Sequence, residues 1–217
     1  HCSVRRQRQM CIRDRNTTTT GNQNSALGVA ALYANTTGAD NTALGRSALS
    51  ANTTASNSTA VGSSALLANT TGHSNVATGE TALRDNTSGV QNIAIGRAAL
   101  RANTTADNNT AIGYASLLAN TTGTLNTAIG YLALQANTTA DKNVAVGGNC
   151  LQANTTGTDN NAVGYAALYA NTTGNDNTAM GDNALGANTT ASNNTAVGSS
   201  ALACLLYTSD AADERNS

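Results

Sequence analysis

The sequence predicts an all-β solenoid. The expected form is a parallel β-roll or β-helix in which each 17-residue repeat makes one turn, with a short helical turn possible in each repeat. Three observations carry that expectation. Glycines stand at Gly28, Gly45, Gly62, Gly79, Gly96, Gly113, Gly130, Gly147, Gly164, Gly181 and Gly198, each 17 residues after the last, with no insertion or deletion. Apolar and asparagine positions keep the same phase throughout 16–203, which a disordered polar linker has no reason to do. The same stretch has no Pro, Phe or Trp, so it lacks the aromatics an ordinary globular core of this size would bury.

The ends stand outside the repeat. Residues 1–15 (HCSVRRQRQMCIRDR) and 204–217 (CLLYTSDAADERNS) are related as nucleic acid: one DNA string encodes Arg5 to Asp14, and its complementary strand encodes Cys204 to Asp213. The pair resembles read-through of a transposase-type sequencing adapter, so both segments are set aside as non-native. They hold Cys2, Cys11 and Cys204 and six of the eleven basic residues. The arginine-rich start would otherwise suggest a nucleic-acid arm. The remaining domain, 16–203, carries a net charge of about −3 and one cysteine, Cys150, which excludes a disulfide framework. No run of about 20 apolar residues suggests a membrane span.

Within a repeat, positions are counted from the marker glycine. Position −2 is always Ala, and −1 is large and apolar except at Thr78. Positions −3 to −1, rich in Thr, Val and Ile, predict a short strand. Alternation puts −3 and −1 on one face and −2 on the other. The large residues at −1 are expected inside with the constant Leu at +4, and Val76 at −3 is expected to restore core volume lost at Thr78. The Ala stripe at −2 would then face outward and pack against another copy. After the glycine, +1 and +5 vary freely and are expected on the surface. Constant Ala and Leu at +3 and +4 favour a helical turn burying +3, +4 and +7, with a strand burying +2, +4 and +6 as the alternative. Asn35, Asn52, Asn69, Asn103, Asn120, Asn137, Asn154, Asn171 and Asn188 at +7 predict a ladder of corner amides, and a second Asn recurs at −4. About 4.8 Å per turn gives a rod on the order of 50 Å.

The unit NTAIG, with an Asn just before the strand, resembles the SxAxG-type repeats of trimeric autotransporter adhesin heads of the YadA-like kind. Its longer form NTAIGYASLLANTTG looks like repeats of bacterial and phage tail-fibre proteins. The resemblance covers 16–203, although the 17-residue period is longer than the typical head repeat. It implies a left-handed parallel β-roll and a homotrimer. It also implies an extracellular place, on the bacterial outer membrane or cell surface or in a virion tail fibre.

The residues predict no enzyme: no catalytic triad, metal cluster, phosphate loop or cofactor site is visible, and neither a cofactor nor a nucleic-acid partner is expected. Asn-Thr-Thr matches the N-glycosylation pattern, but it is read as a structural corner, because modifying every turn would crowd glycans at single-strand spacing. Adjacent threonines at +8 and +9 would point opposite ways on a strand, unlike the paired hydroxyls of an ice-binding face. Asp159 and Asp176 at +12 could hold calcium or be solvated loop acids. Tyr114, Tyr131 and Tyr165 at +1, with Arg97 at +1 and Arg101 at +5, form the candidate ligand-contact surface for a host glycan or protein. The expected role is a structural or adhesive segment of a surface fibre. The alternative is a solenoid binding a small repetitive target such as ice, glycan or calcium.

Overall fold

The computed structural model of the protein describes residues 20–203. The segments 1–15 and 204–217, read above as adapter sequence, lie outside the described residues, as do 16–19. The chain divides into two compact units between Asn109 and Thr110. In both, each repeat supplies one three-residue strand at −3 to −1. The first unit holds β1 (Ser25–Leu27), β2 (Thr42–Leu44), β3 (Thr59–Val61), β4 (Val76–Thr78) and β5 (Ile93–Ile95). The second holds β6 (Thr110–Ile112), β7 (Thr127–Ile129), β8 (Val144–Val146), β9 (Asn161–Val163), β10 (Thr178–Met180) and β11 (Thr195–Val197).

Within each unit neighbouring strands are parallel and in register, so like pairs with like: Ala43 with Ala60, and Ala128 with Ala145. The unbroken period is what permits this, because a single inserted residue would turn each side chain to the opposite face. The fold is therefore a parallel β-solenoid with one 17-residue repeat per turn. Among the described residues there is no helix, and so none long and apolar enough to cross a membrane.

The strands face the other way from the expectation. The central Ala is inside and the large flanking residues are outside: Ala128 is 0% exposed while Ile129 is 37% exposed. The same holds for Ala43 beside Leu44, Ala162 beside Val163 and Ala179 beside Met180. The cause is the width of the coil. Each turn already encloses Ala at +3, Leu at +4 and asparagines at −4 and +7, as with Ala133, Leu134, Asn126 and Asn137. Interiors are close-packed, and a branched side chain added opposite the leucine would overfill the lumen. The constant Ala at −2 is thus a lining residue and not a docking stripe. Val76 and Thr78 share the outer face of β4, half-buried, so Val76 does not restore core volume.

The helical turn after the glycine is absent as well. Residues +2 and +4 are left-handed in every repeat, as at Ala115 (φ 51) and Leu117 (φ 51). Alternating hands cannot propagate a helix, which needs successive right-handed residues. The buried set is nonetheless the +3, +4 and +7 set, as at Ser116, Leu117 and Asn120. Hydrogen bonds run to the next turn: the Leu117 N–H donates to the Ala133 carbonyl at 2.9 Å, and the Ala119 N–H to that of Gln135 at 3.1 Å. The marker glycine has its own reason. Gly62 has φ 135, and a Cβ there would lie 2.6 Å from the Gly79 carbonyl carbon.

The left-handed leucine explains a preference in the sequence. A side chain branched at Cβ is a genuine outlier at positive φ, whereas one branched at Cγ fits with less strain. Position +4 is accordingly Leu in all repeats and never Val or Ile, while −1 takes all three. Thr81 at +2 is the one β-branched residue among the left-handed positions of the described residues, and its hydroxyl donates to the Glu80 carbonyl at 2.7 Å. Leu117→Ile is therefore expected to destabilise the chain by about 2 kcal/mol, from backbone strain at constant volume. Leu117→Met, which keeps Cβ unbranched, should cost less than about 1.5 kcal/mol. Urea unfolding midpoints of the two variants check the order, and equal midpoints would contradict it.

Candidate functional site

The two asparagines of each turn meet at one carbonyl. At +7 the Asn154 amide nitrogen donates to the Gly157 carbonyl at 2.9 Å and to Asn137 Oδ1, one turn back, at 3.0 Å. Its own Oδ1 accepts from Asn171 at 2.9 Å. At −4, the Asn143 amide nitrogen reaches the same Gly157 carbonyl at 2.9 Å. Its Oδ1 accepts the Asn160 backbone N–H at 3.0 Å. The +10 carbonyl thus takes two side-chain donors, and position +10 is always Gly or Ala. Asn52, Asn69, Asn86 and Asn103 repeat the +7 ladder in the first unit from Asn35 on. Asn120, Asn137, Asn154, Asn171 and Asn188 form that of the second unit. All of these +7 asparagines are buried.

Ser58 replaces the −4 asparagine in one turn and shows which half of its role is dispensable. Its hydroxyl still accepts the Asn75 N–H at 3.3 Å, but it does not reach the Gly72 carbonyl, which keeps Asn69 at 2.9 Å. The glycosylation reading meets these bonds directly. The Nδ2 that would carry a glycan has both hydrogens bonded and no access to solvent in the folded chain. The threonines separate likewise. At +8 the hydroxyl donates to the +8 carbonyl of the next turn, as Thr121 does to Thr138 at 3.0 Å. At +9, Thr122, Thr139 and Thr156 are exposed.

Sequence reasoning missed a third set of bonds. Side chains at +11 accept the +11 N–H of the preceding turn: Asp107 from Val90 at 2.7 Å, and Asp141 from Thr124 at 2.6 Å. Ser56 and Ser192 act in the same way. The signal was present, since wherever +10 is Ala, as at Ala55, Ala106, Ala140 and Ala191, +11 is Ser or Asp. Asp159 and Asp176 at +12 have φ 57 and 55, a region that Asp and Asn enter more readily than most residues. No group of three or more metal-ligating side chains occurs among the described residues.

The candidate contact residues fall in separate units. In the first, Arg97 is exposed and pairs with Glu80 at 3.2 Å. Arg101 is half-buried, and its Nε is enclosed without a hydrogen bond. Beside them Arg84 forms a two-bond pair with Asp85, at 2.7 and 2.9 Å, which raises the guanidinium pKa against some desolvation. In the second unit Tyr114 and Tyr131 stack, with ring centroids 5.5 Å apart and planes 14° from parallel. Tyr165 lies two turns beyond Tyr131, with Gly148 between them in the same column. The Asn149 amide nitrogen donates to the Tyr165 hydroxyl at 3.3 Å. The three rings are 44, 57 and 61% exposed. Cys150 is buried, its Sγ donates to the Ala162 carbonyl at 3.2 Å, and burial pushes its thiol pKa up to about 12. A thiol so held is a poor nucleophile.

The ladder predicts a specific sensitivity. Asn154→Ala leaves Asn137 Oδ1 and one Asn171 N–H unsatisfied and should cost about 2–6 kcal/mol at about 1–3 for each group. Asn154→Asp keeps an acceptor for Asn171 but buries a carboxylate against the Gly157 carbonyl, so its native pKa rises above the unfolded value. Its stability is then greatest below the unfolded pKa and falls as pH rises through the native one, making it less stable at pH 7 than at about pH 4 relative to the parent chain. Denaturant midpoints at the two pH values check this.

No family model matches the chain, and neither a curated protein nor a solved structure matches it.

Proposed function

We propose that the chain is a non-enzymatic structural segment of a bacterial or phage surface fibre, extending the fibre and presenting a binding surface outside the cell or virion. The observation that carries this reading is the outer face of the strands. The aliphatics that do not fit in the lumen stand in a column at −1: Leu27, Leu44 and Ile95 in the first unit, and Ile129, Val163, Met180 and Val197 in the second, all exposed. Strands in register set the −1 side chains of neighbouring turns about 4.8 Å apart, with half-buried Val61, Ile112 and Val146 between the exposed ones and Thr78 the one polar member. An apolar column of that kind is characteristic of an interaction face.

The occupant proposed for that face is further copies of the same chain, in a homotrimer as the adhesin and tail-fibre resemblance implies. The packing face is then −1 and −3, not the Ala stripe at −2, which lies inside. The thin lumen supports the same reading. Among the described residues its large apolar side chains are leucines, at roughly 1.5–3 kcal/mol for each buried one. Each repeat also holds three left-handed non-glycine residues, at +2, +4 and +12, as Leu132, Leu134 and Lys142 do. Burial of the −1 column between copies adds what the lumen lacks.

A second reading has one observation in its favour. The stacked Tyr114 and Tyr131, with Tyr165 in the same column, suit a glycan. Ice has less support, because the threonines at +8 and +9 serve different surfaces, and calcium has no clustered ligands among the described residues.

Light scattering on the full chain tests the fibre reading. The expected mass is that of a trimer, and Ile129→Lys combined with Val163→Lys should convert it to monomer or unfold it. A stable, folded monomer of the parent chain would contradict the proposal.

A further inference from the structure

Tyr114 and Tyr131 hold the same position in consecutive turns, and the backbone fixes them beside each other. Their strands, β6 and β7, pair in register, Ile112 with Ile129. The pairing continues on both sides of Tyr131. The Gly130 N–H donates to the Ile112 carbonyl at 2.8 Å, and the Leu132 N–H to the Tyr114 carbonyl at 3.0 Å. The two side chains therefore leave the coil about 4.8 Å apart at their roots. Their ring centroids are 5.5 Å apart, their planes 14° from parallel, and both residues are exposed.

Two phenols held in this way, and open to a reagent from solvent, are arranged for oxidative coupling. A phenol that loses one electron and one proton becomes a phenoxyl radical, with spin on the Cε carbons beside the oxygen. Two free radicals must first meet, whereas two held side by side react at a high effective concentration. They join through one Cε of each ring. The Cε–H bond of each ring then breaks, and its proton passes through water to restore the phenol hydroxyl. The net loss is two electrons and two protons, which reduce one hydrogen peroxide to two waters.

Tyr165 provides the comparison within the same column. Gly148 separates it from Tyr131, so the two are about 9–10 Å apart at their roots. Its ring stacks on no other ring among the described residues, and its hydroxyl accepts from the Asn149 amide nitrogen at 3.3 Å.

We propose that Tyr114 and Tyr131 are an oxidative cross-linking site, at which a haem peroxidase and hydrogen peroxide join the two rings into a dityrosine staple across consecutive turns. The staple links positions 17 residues apart and so restricts the unfolded chain, as a disulfide does. It does not rest on the fibre reading. A link inside one chain leaves the oligomeric state measured by light scattering unchanged.

The test treats the full chain with a haem peroxidase and limiting hydrogen peroxide. Dityrosine fluorescence should appear while the chain still runs as a single chain on denaturing electrophoresis. Chymotrypsin, which cuts the denatured chain at Leu117, Leu118 and Leu125 between the two rings, should release their peptides joined, lighter by two hydrogens than their sum. Tyr131→Phe keeps the ring and its stack, so it folds, and should lower the dityrosine yield at least about tenfold. Tyr165→Phe should leave the yield unchanged. The stapled chain should unfold at a higher urea concentration than the untreated one, and treated Tyr131→Phe should show no such rise. Absence of dityrosine, a yield that survives Tyr131→Phe, links mainly between chains or to Tyr165, or a stapled chain with an unchanged urea midpoint would each overturn the proposal.

Discussion

Two asparagine side chains donating to one backbone carbonyl hold the turns shut, with Ser58 the one replacement, and much of the rest of the structure follows from keeping that arrangement. A buried amide without partners costs about 1–3 kcal/mol for each group left unmade. Here a buried +7 asparagine such as Asn154 makes three bonds: to the carbonyl of its own corner, to the turn before and to the turn after. An insertion of one residue would misplace the donors of that turn and strand those of its neighbours. The unvarying 17-residue period is thus a condition of amide satisfaction and not only of strand pairing.

The same arrangement sets the width of the lumen. With two buried amides in it, a turn has room for one leucine and several alanines, as Leu134, Ala128 and Ala133 occupy theirs. The backbone reaches that tight path through left-handed residues at +2, +4 and +12. Left-handed non-glycine residues cost on the order of 1–2 kcal/mol each, and the hydrogen bonds between turns and the buried leucine oppose that cost. The larger aliphatics are displaced to the outer face. The feature that narrows the core therefore also creates the apolar column proposed as the face between copies.

The sequence made the solenoid, its period, its strands and its asparagine corners legible because invariance at a fixed spacing reports them directly. It misled on the facing of the strands because size was read as burial. The better cue was variability: −1 tolerates Thr78 and Met180, whereas −2 is Ala without exception. A position that accepts several shapes is less constrained than one that accepts a single small residue. The helical turn failed for a different reason. Ala and Leu are good helix formers, but propensity says nothing about a left-handed Leu117 held by a bond to the next turn. The +11 caps of Asp107 and Asp141 went unread because their meaning lies in a pairing with Ala at +10. Of the candidate surface, the exposure of the tyrosines was legible from their variable positions, while the stacking of Tyr114 on Tyr131 emerges only from the structure.

The central claim is that the side-chain amides at +7 and −4 are buried and bonded as part of the fold. Hydrogen exchange of the asparagine NH₂ groups, followed by NMR on uniformly labelled chain, measures that property directly. The account predicts that these amide protons are protected to the same degree as the strand backbone of their own turn, while those of exposed asparagines such as Asn183 and Asn193 exchange freely. Uniformly fast exchange of the +7 side chains in a folded chain would contradict it.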